Sequence, residues 1–126
     1  MYNEIAKNKR KTIFLIAIFA VVVIFLGWVF GYYWGEAEVG IILATMIATT
    51  MVLIGYFKGD SVSLAVAGAK PATREANFEL YNYVENLSIT AGLPMPKVYI
   101  IDDPSPNAFA TGRKPETASI AVTTGL

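Results

Sequence analysis

Few residues in this 126-residue chain have types and spacing suited to chemistry. Asp102 and Asp103 stand side by side in a stretch stiffened by Pro104 and Pro106. Adjacent carboxylates can begin a site for a hard cation, but such an ion wants a full shell of oxygens. No further ligand stands near them, so capping of a tight turn is the better reading. Glu75 and Glu79 lie one helical turn apart. Paired carboxylates suit acid–base work, yet on a helix they read more simply as a solvated face near the positive end of the dipole. The run GRKPET at 112–117 gathers Gly112, Arg113 and Lys114 but lacks the other glycines of a phosphate loop.

The chain contains no His and no Cys. It therefore lacks the nitrogen and sulfur ligands of an ordinary zinc site, and it has no Ser–His or Cys–His pair for nucleophilic catalysis. No disulfide scaffold is available, and the redox compartment stays open. Lys+Arg of 10 balances Asp+Glu of 10, which removes any electrostatic case for nucleic-acid binding. Zinc or nucleophile chemistry would have to come from residues outside these.

The most specific pattern is 94–125, PMPKVYIIDDPSPNAFATGRKPETASIAVTTG. Short β-type runs alternate with Pro, Gly, Asn and Asp, predicting strands at 98–101, 108–111 and 119–123 joined by tight connections. The middle run is short, follows a proline and is built of small residues with Phe109, a profile that suits an edge strand.

The elements that must position this tract are unusually apolar. Hydrophobic residues make up 55% and charged residues 16%, and the mean hydropathy is +0.50. Residues 1–11 are basic, with Lys7, Lys9, Arg10 and Lys11 against Glu4. Residues 13–30 follow without a charge and would span about 27 Å as a helix, close to a bilayer core. Trp28, Tyr32, Tyr33 and Trp34 gather at its far end as an interfacial belt. A cleaved signal peptide would have a shorter apolar core and small residues at its end, and a buried soluble helix would show a polar face. Residues 39–57 form a second uncharged run, after a loop carrying Glu36 and Glu38 and before Lys58. The basic flanks predict a two-helix transmembrane hairpin with both ends in the cytoplasm.

Small residues recur in the runs. Gly27 and Gly31, and then Gly40, Ala44 and Ala48, form rows that let helices approach closely, although ordinary membrane composition explains them better. Thr45, Thr49 and Thr50 can bond back to their own helix. Neither run holds an acid or base, which argues against an ion path.

Residues 60–68 open with Asp60 and Ser61 and read as a short helix at the membrane surface, or else as a buried strand; Lys70-Pro71 ends it. Residues 73–91 read as a helix with Phe78, Tyr81, Val84, Leu87 and Ala91 on one apolar face, stopped by Gly92, Pro94 and Pro96. The division predicted is a membrane anchor at 1–58, a juxtamembrane segment at 59–72 and the start of a peripheral domain at 73–126. A single helix and three strands bury a marginal core, so the peripheral part is expected to be incomplete.

PMPKVYIIDDPSPNAFATG followed by IAVTTGL resembles the HtpX family of membrane-bound zinc metalloproteases, and the order of parts upstream matches as well. The resemblance implies a membrane α+β fold, a hairpin followed by the incomplete start of a zincin-type domain. It implies a cell (inner) membrane endopeptidase, multi-pass, with N-terminus and peptidase portion cytoplasmic, that removes misfolded or damaged membrane proteins. Zinc is implied for the complete protein on an H-E-x-x-H helix beyond Leu126, so no catalytic or metal residue can be carried over. What carries over is substrate positioning: Asn107, Ala108, Phe109 and Ala110 match the family's motif and would form a strand that pairs with an extended peptide. Alternatively the same run packs beneath the missing helix with Phe109 in the core. The implied partners are the lipid bilayer and protein substrates; a non-catalytic, membrane-anchored binding module is the competing function.

Overall fold

The computed structural model describes residues 2–126. They form two compact units, one ending at Phe57 and the other spanning Lys58–Leu126, with the boundary inside a helix.

The first unit is a helical hairpin. Helix α1 runs Tyr2–Tyr33 and α2 runs Ala37–Val66. Both are long and apolar enough to cross a membrane. Their apolar side chains face outward: Ile13, Phe14, Leu15, Phe25, Leu43 and Ile54 are all exposed. In water such a surface would be prohibitive, whereas in lipid it is the solvated surface. The polar start of the chain is helical too, so α1 carries residues 2–11 in line with its apolar run.

The turn between the helices is tight. Glu36 N–H donates to the Gly31 carbonyl at 2.8 Å, and Gly40 N–H to that of Glu36 at 3.1 Å. The small residues explain how the helices meet. A Cβ on Gly40 would strike the Gly27 carbonyl and lie 2.9 Å from the Gly31 Cα. Ala44 and Ala48, on the same row of α2, are buried. The two rows are therefore the hairpin's own contact, more than the membrane composition that the sequence favoured. Thr45 and Thr50 donate to the carbonyls of Ile41 and Met46, both at 2.8 Å, which satisfies hydroxyls inside an apolar run.

The second unit corrects several expectations. Residues 60–68 form no separate helix: α2 continues through Asp60 and Ser61 to Val66. Asp60 Oδ1 accepts from the Ser61 N–H at 2.8 Å, a local bond that does not break the helix. Lys70–Pro71 then forms a two-residue strand, β1, so the sheet has four strands where the sequence predicted three. The proline lies on an edge, where its lack of N–H does no harm.

The helix predicted over 73–91 begins later, as α3, Phe78–Ala91. Residues 73–77 form a preliminary turn, with Asn77 N–H on the Thr73 carbonyl at 2.9 Å and Ala76 N–H on Thr73 Oγ1 at 3.2 Å. Asn77 itself leaves helical geometry at φ −128° and ψ 46°. Gly92 closes α3 in the left-handed region, φ 65° and ψ 30°, which favours glycine. The inward arc of α3 is narrower than predicted and centred on Val84, flanked by half-buried Leu80, Tyr81 and Ser88. Phe78, Leu87 and Ala91 are exposed, because the arc around Val84 does not reach them. Arg74 pairs with Glu85 and lies over the Tyr81 ring at 5.3 Å, which ties the preliminary turn to the helix.

The remaining strands are β2, Lys97–Ile101; β3, Ala108–Thr111; and β4, Ser119–Thr123, with a 3-10 turn at Pro115–Thr117 between the last two. The order is β1-β2-β4-β3. The β2–β4 pair is parallel, and both outer pairs are antiparallel. The interior strand β4 is the most buried, with Ser119, Ala121, Val122 and Thr123 all enclosed. This is an α+β arrangement of two long apolar helices, a third helix and a small mixed sheet.

Candidate functional site

The edge strand β3 holds Ala108, Phe109 and Ala110 of the predicted site residues, and Asn107 immediately precedes it. Its register against β4 sets Ala108 opposite Val122, Phe109 opposite Ala121, Ala110 opposite Ile120 and Thr111 opposite Ser119. Alternation puts Phe109 and Thr111 on one sheet face and Ala108 and Ala110 on the other. Phe109 is half-buried and falls in a cross-strand row with Ala121, Tyr99 and Pro71. Ala121 is fully buried within that row. Ala108 and Ala110 are exposed, and their small side chains leave the outer edge open.

Backbone phase decides what the edge can bind. Thr123 N–H donates to the Asn107 carbonyl at 3.0 Å. Bonded and non-bonded pairs alternate along an antiparallel ladder, so Phe109 and Thr111 share this inward phase. The N–H and C=O groups of Ala108 and Ala110 therefore point away from β4, toward the side of β3 that has no neighbouring strand among the described residues. Asn107 Oδ1 already accepts the Ala108 N–H at 2.9 Å. Three groups are left for an incoming strand: the Ala108 carbonyl, the Ala110 N–H and the Ala110 carbonyl.

Asn107 is held from the other side. Its N–H donates to Thr123 Oγ1 at 2.8 Å, and the same hydroxyl lies 2.9 Å from the Asn107 carbonyl and 2.8 Å from that of Ser105. A hydroxyl has a single proton, so these two carbonyls share one donor. The neighbouring Thr124 makes a parallel clamp: its hydroxyl donates to the Asp103 carbonyl at 3.0 Å, and its N–H to that of Ile101 at 2.9 Å. Asp103 Oδ1 accepts from the Ser105 N–H at 2.7 Å, the turn-capping role expected of it. The twin threonines were not singled out in the sequence. Their only mark there is a pair of β-branched hydroxyl residues at the end of an apolar strand.

The residues present do not fit a zinc site. The chain has neither His nor Cys, and among the described residues no group of three or more His, Cys, Asp or Glu is placed to hold a metal. The candidate site is the outer edge of β3, with no metal-holding group among the described residues.

Comparison with known proteins agrees with the tract that forms this edge. Residues 74–126 match the model of Peptidase family M48. The chain is similar over its full length to a Protease HtpX homolog of Listeria monocytogenes, 44% identical over 128 residues, and spans 42% of that protein. A Protease HtpX homolog of Caldanaerobacter subterraneus is 40% identical, with 100% of this chain and 42% of the relative covered. One from Dictyoglomus turgidum is 43% identical, with 99% and 41% covered. The crystal structure of S. mikatae Ste24p aligns with all of this chain and 29% of its own, at 16% identity and a TM-score of 0.48, too loose a likeness to argue from. The chain thus spans well under half the length of these curated relatives. The similarity to Protease HtpX homologs runs from end to end of this chain, and the Peptidase family M48 match falls over the edge-strand region.

Proposed function

We propose that this chain is the N-terminal portion of a membrane-bound, zinc-dependent endopeptidase, and that β3 aligns the substrate. The observation that carries this reading is the outward phase of Ala108 and Ala110 on a strand with an open side. A peptide added antiparallel or parallel to β3 gains main-chain hydrogen bonds without regard to its side chains, which suits broad cleavage of misfolded or damaged membrane proteins. Asn107, clamped by Thr123, fixes where the edge begins, and Phe109 anchors the strand from its inner face. The metal belongs to residues outside this chain, and zinc enters only through the family. The hairpin would span the cell (inner) membrane, with the N-terminus and the peptidase portion in the cytoplasm, an orientation that the basic flanks support.

A second reading rests on the same outward-facing edge of β3. A membrane-anchored module could use the same edge to hold partners without cutting them. One experiment separates the two. The complete protein that begins with these residues is purified in detergent with zinc and incubated with an unfolded protein substrate. Cleavage that falls when Asn107→Ala and Phe109→Ala are introduced, at unchanged stability, supports the protease. Binding without cleavage supports the module, and cleavage indifferent to both substitutions removes β3 from substrate positioning.

A further inference from the structure

The start of α1 carries a charge cluster that the peptidase reading does not use. Lys7, Lys9, Arg10 and Lys11 are all exposed, and none makes an ion pair among the described residues. Glu4 is the one acid in residues 2–12, which leaves that segment a net charge of +3, from four cations and one anion. The chain as a whole is neutral, so the cluster is a local excess. At the other end of the hairpin stand Glu36 and Glu38, also exposed. The first unit is therefore polarised along its length.

Helix continuity fixes where these cations lie. At 1.5 Å per residue, Lys11 to Lys7 sit about 3–9 Å beyond the start of the apolar run at residue 13. That is the depth of lipid headgroups, outside the hydrocarbon. At 100° per residue, Lys7, Arg10 and Lys11 share an arc of about 100°, and Lys9 faces the opposite side. Because α1 is one unbroken helix, the arc is presented rigidly and does not depend on ordering a tail.

We propose that residues 7–11 form a binding site for anionic phospholipid headgroups in the leaflet where the chain begins. The Lys7–Arg10–Lys11 face would engage lipid phosphates directly, with Arg10 able to grip one in a bidentate manner. The site would select lipid by headgroup charge and would leave the acidic end of the hairpin without such a preference.

The absence of Cys makes the test direct, since one introduced cysteine carries the only label. The full chain bearing a fluorescent donor at Asn3→Cys, or at Gly35→Cys, is placed in vesicles of phosphatidylcholine with one fifth phosphatidylglycerol. Energy transfer is read to acceptor-labelled phosphatidylglycerol and, separately, to acceptor-labelled phosphatidylcholine. The expected result is about threefold enrichment of phosphatidylglycerol at position 3 and none at position 35, lost when salt is raised tenfold. The quadruple variant K7Q/K9Q/R10Q/K11Q should abolish the enrichment. Should that variant fail to insert, the salt titration of the unsubstituted chain still decides. Equal transfer to both lipids at low salt, or enrichment that survives high salt, overturns the proposal.

Discussion

Thr123 grips Asn107 by both of its backbone groups: the Asn107 N–H donates to Thr123 Oγ1 at 2.8 Å, and the Thr123 N–H donates to the Asn107 carbonyl at 3.0 Å. The second bond belongs to the ladder, and the first replaces the ladder bond that Asn107 would otherwise make. The side chain of a buried residue on β4 thereby sets the phase of the free edge strand.

Replacing Thr123 by Val keeps its shape and β-branching but removes the hydroxyl. The Asn107 N–H loses its acceptor, and the carbonyls of Ser105 and Asn107 lose a donor. A loss of about 1–3 kcal/mol is expected in denaturant unfolding. Hydrogen exchange at the Asn107 amide should quicken more than at Ala121, and Thr123→Ser should restore most of the protection. Uniform exchange across β3 and β4 in the Val variant would show that the clamp has no local role.

Proline separates the two sides of β3. At Ala110 it removes an N–H that points to the open edge, so the β3–β4 ladder survives. At Phe109 it removes a ladder donor and should unfold the strand. On the proposed function, Ala110→Pro in the complete protein is expected to lower kcat/KM on an unfolded protein substrate at least tenfold, with the unfolding midpoint nearly unchanged. Full activity in Ala110→Pro would mean that no peptide pairs with this edge.

Much of this architecture was legible because its signals were local. The strands at 108–111 and 119–123 match β3 and β4, since short β-type runs between Pro and Gly leave little choice of boundary. The edge position of β3 followed from its length and its preceding proline. β1 was not legible, because Lys70–Pro71 becomes a strand only through the register it finds against Tyr99 and Ile100. The extension of α2 through Asp60 and Ser61 was missed for a related reason: capping residues mark a helix start only when the chain before them is not already helical. On α3, periodicity named Tyr81 and Val84 correctly but could not say how wide an arc would be covered, so Phe78 and Leu87 were misplaced. The Thr123 clamp spans sixteen residues of sequence and leaves no pattern in it.

Thr111 sits at the far end of β3 with a hydroxyl that is buried and has no hydrogen-bond partner among the described residues. An unsatisfied buried oxygen costs free energy, and Val offers the same shape without it. Thr111→Val is expected to stabilise the second unit by about 1 kcal/mol in denaturant unfolding, within the range known for such groups. A loss of stability instead would mean that the hydroxyl is paired in the protein as it exists in its membrane.

The hairpin contact gives the sharpest prediction for the first unit. Gly40 approaches Gly27 and Gly31 so closely that any side chain must push the helices apart. Neither neighbour can yield, because the obstructing atoms are backbone. Gly40→Leu should therefore break the contact at the turn while leaving each helix intact, since Leu is a good helix former. The bonds at risk are those of Gly35 N–H to the Tyr32 carbonyl and Glu36 N–H to the Gly31 carbonyl. Hydrogen exchange in lipid nanodiscs should accelerate at Gly35 and Glu36, with circular dichroism unchanged. Gly55→Leu, where an added Cβ meets nothing within 4 Å, is the control and should leave that exchange alone. If both substitutions act alike, the small-residue rows do not hold the hairpin together.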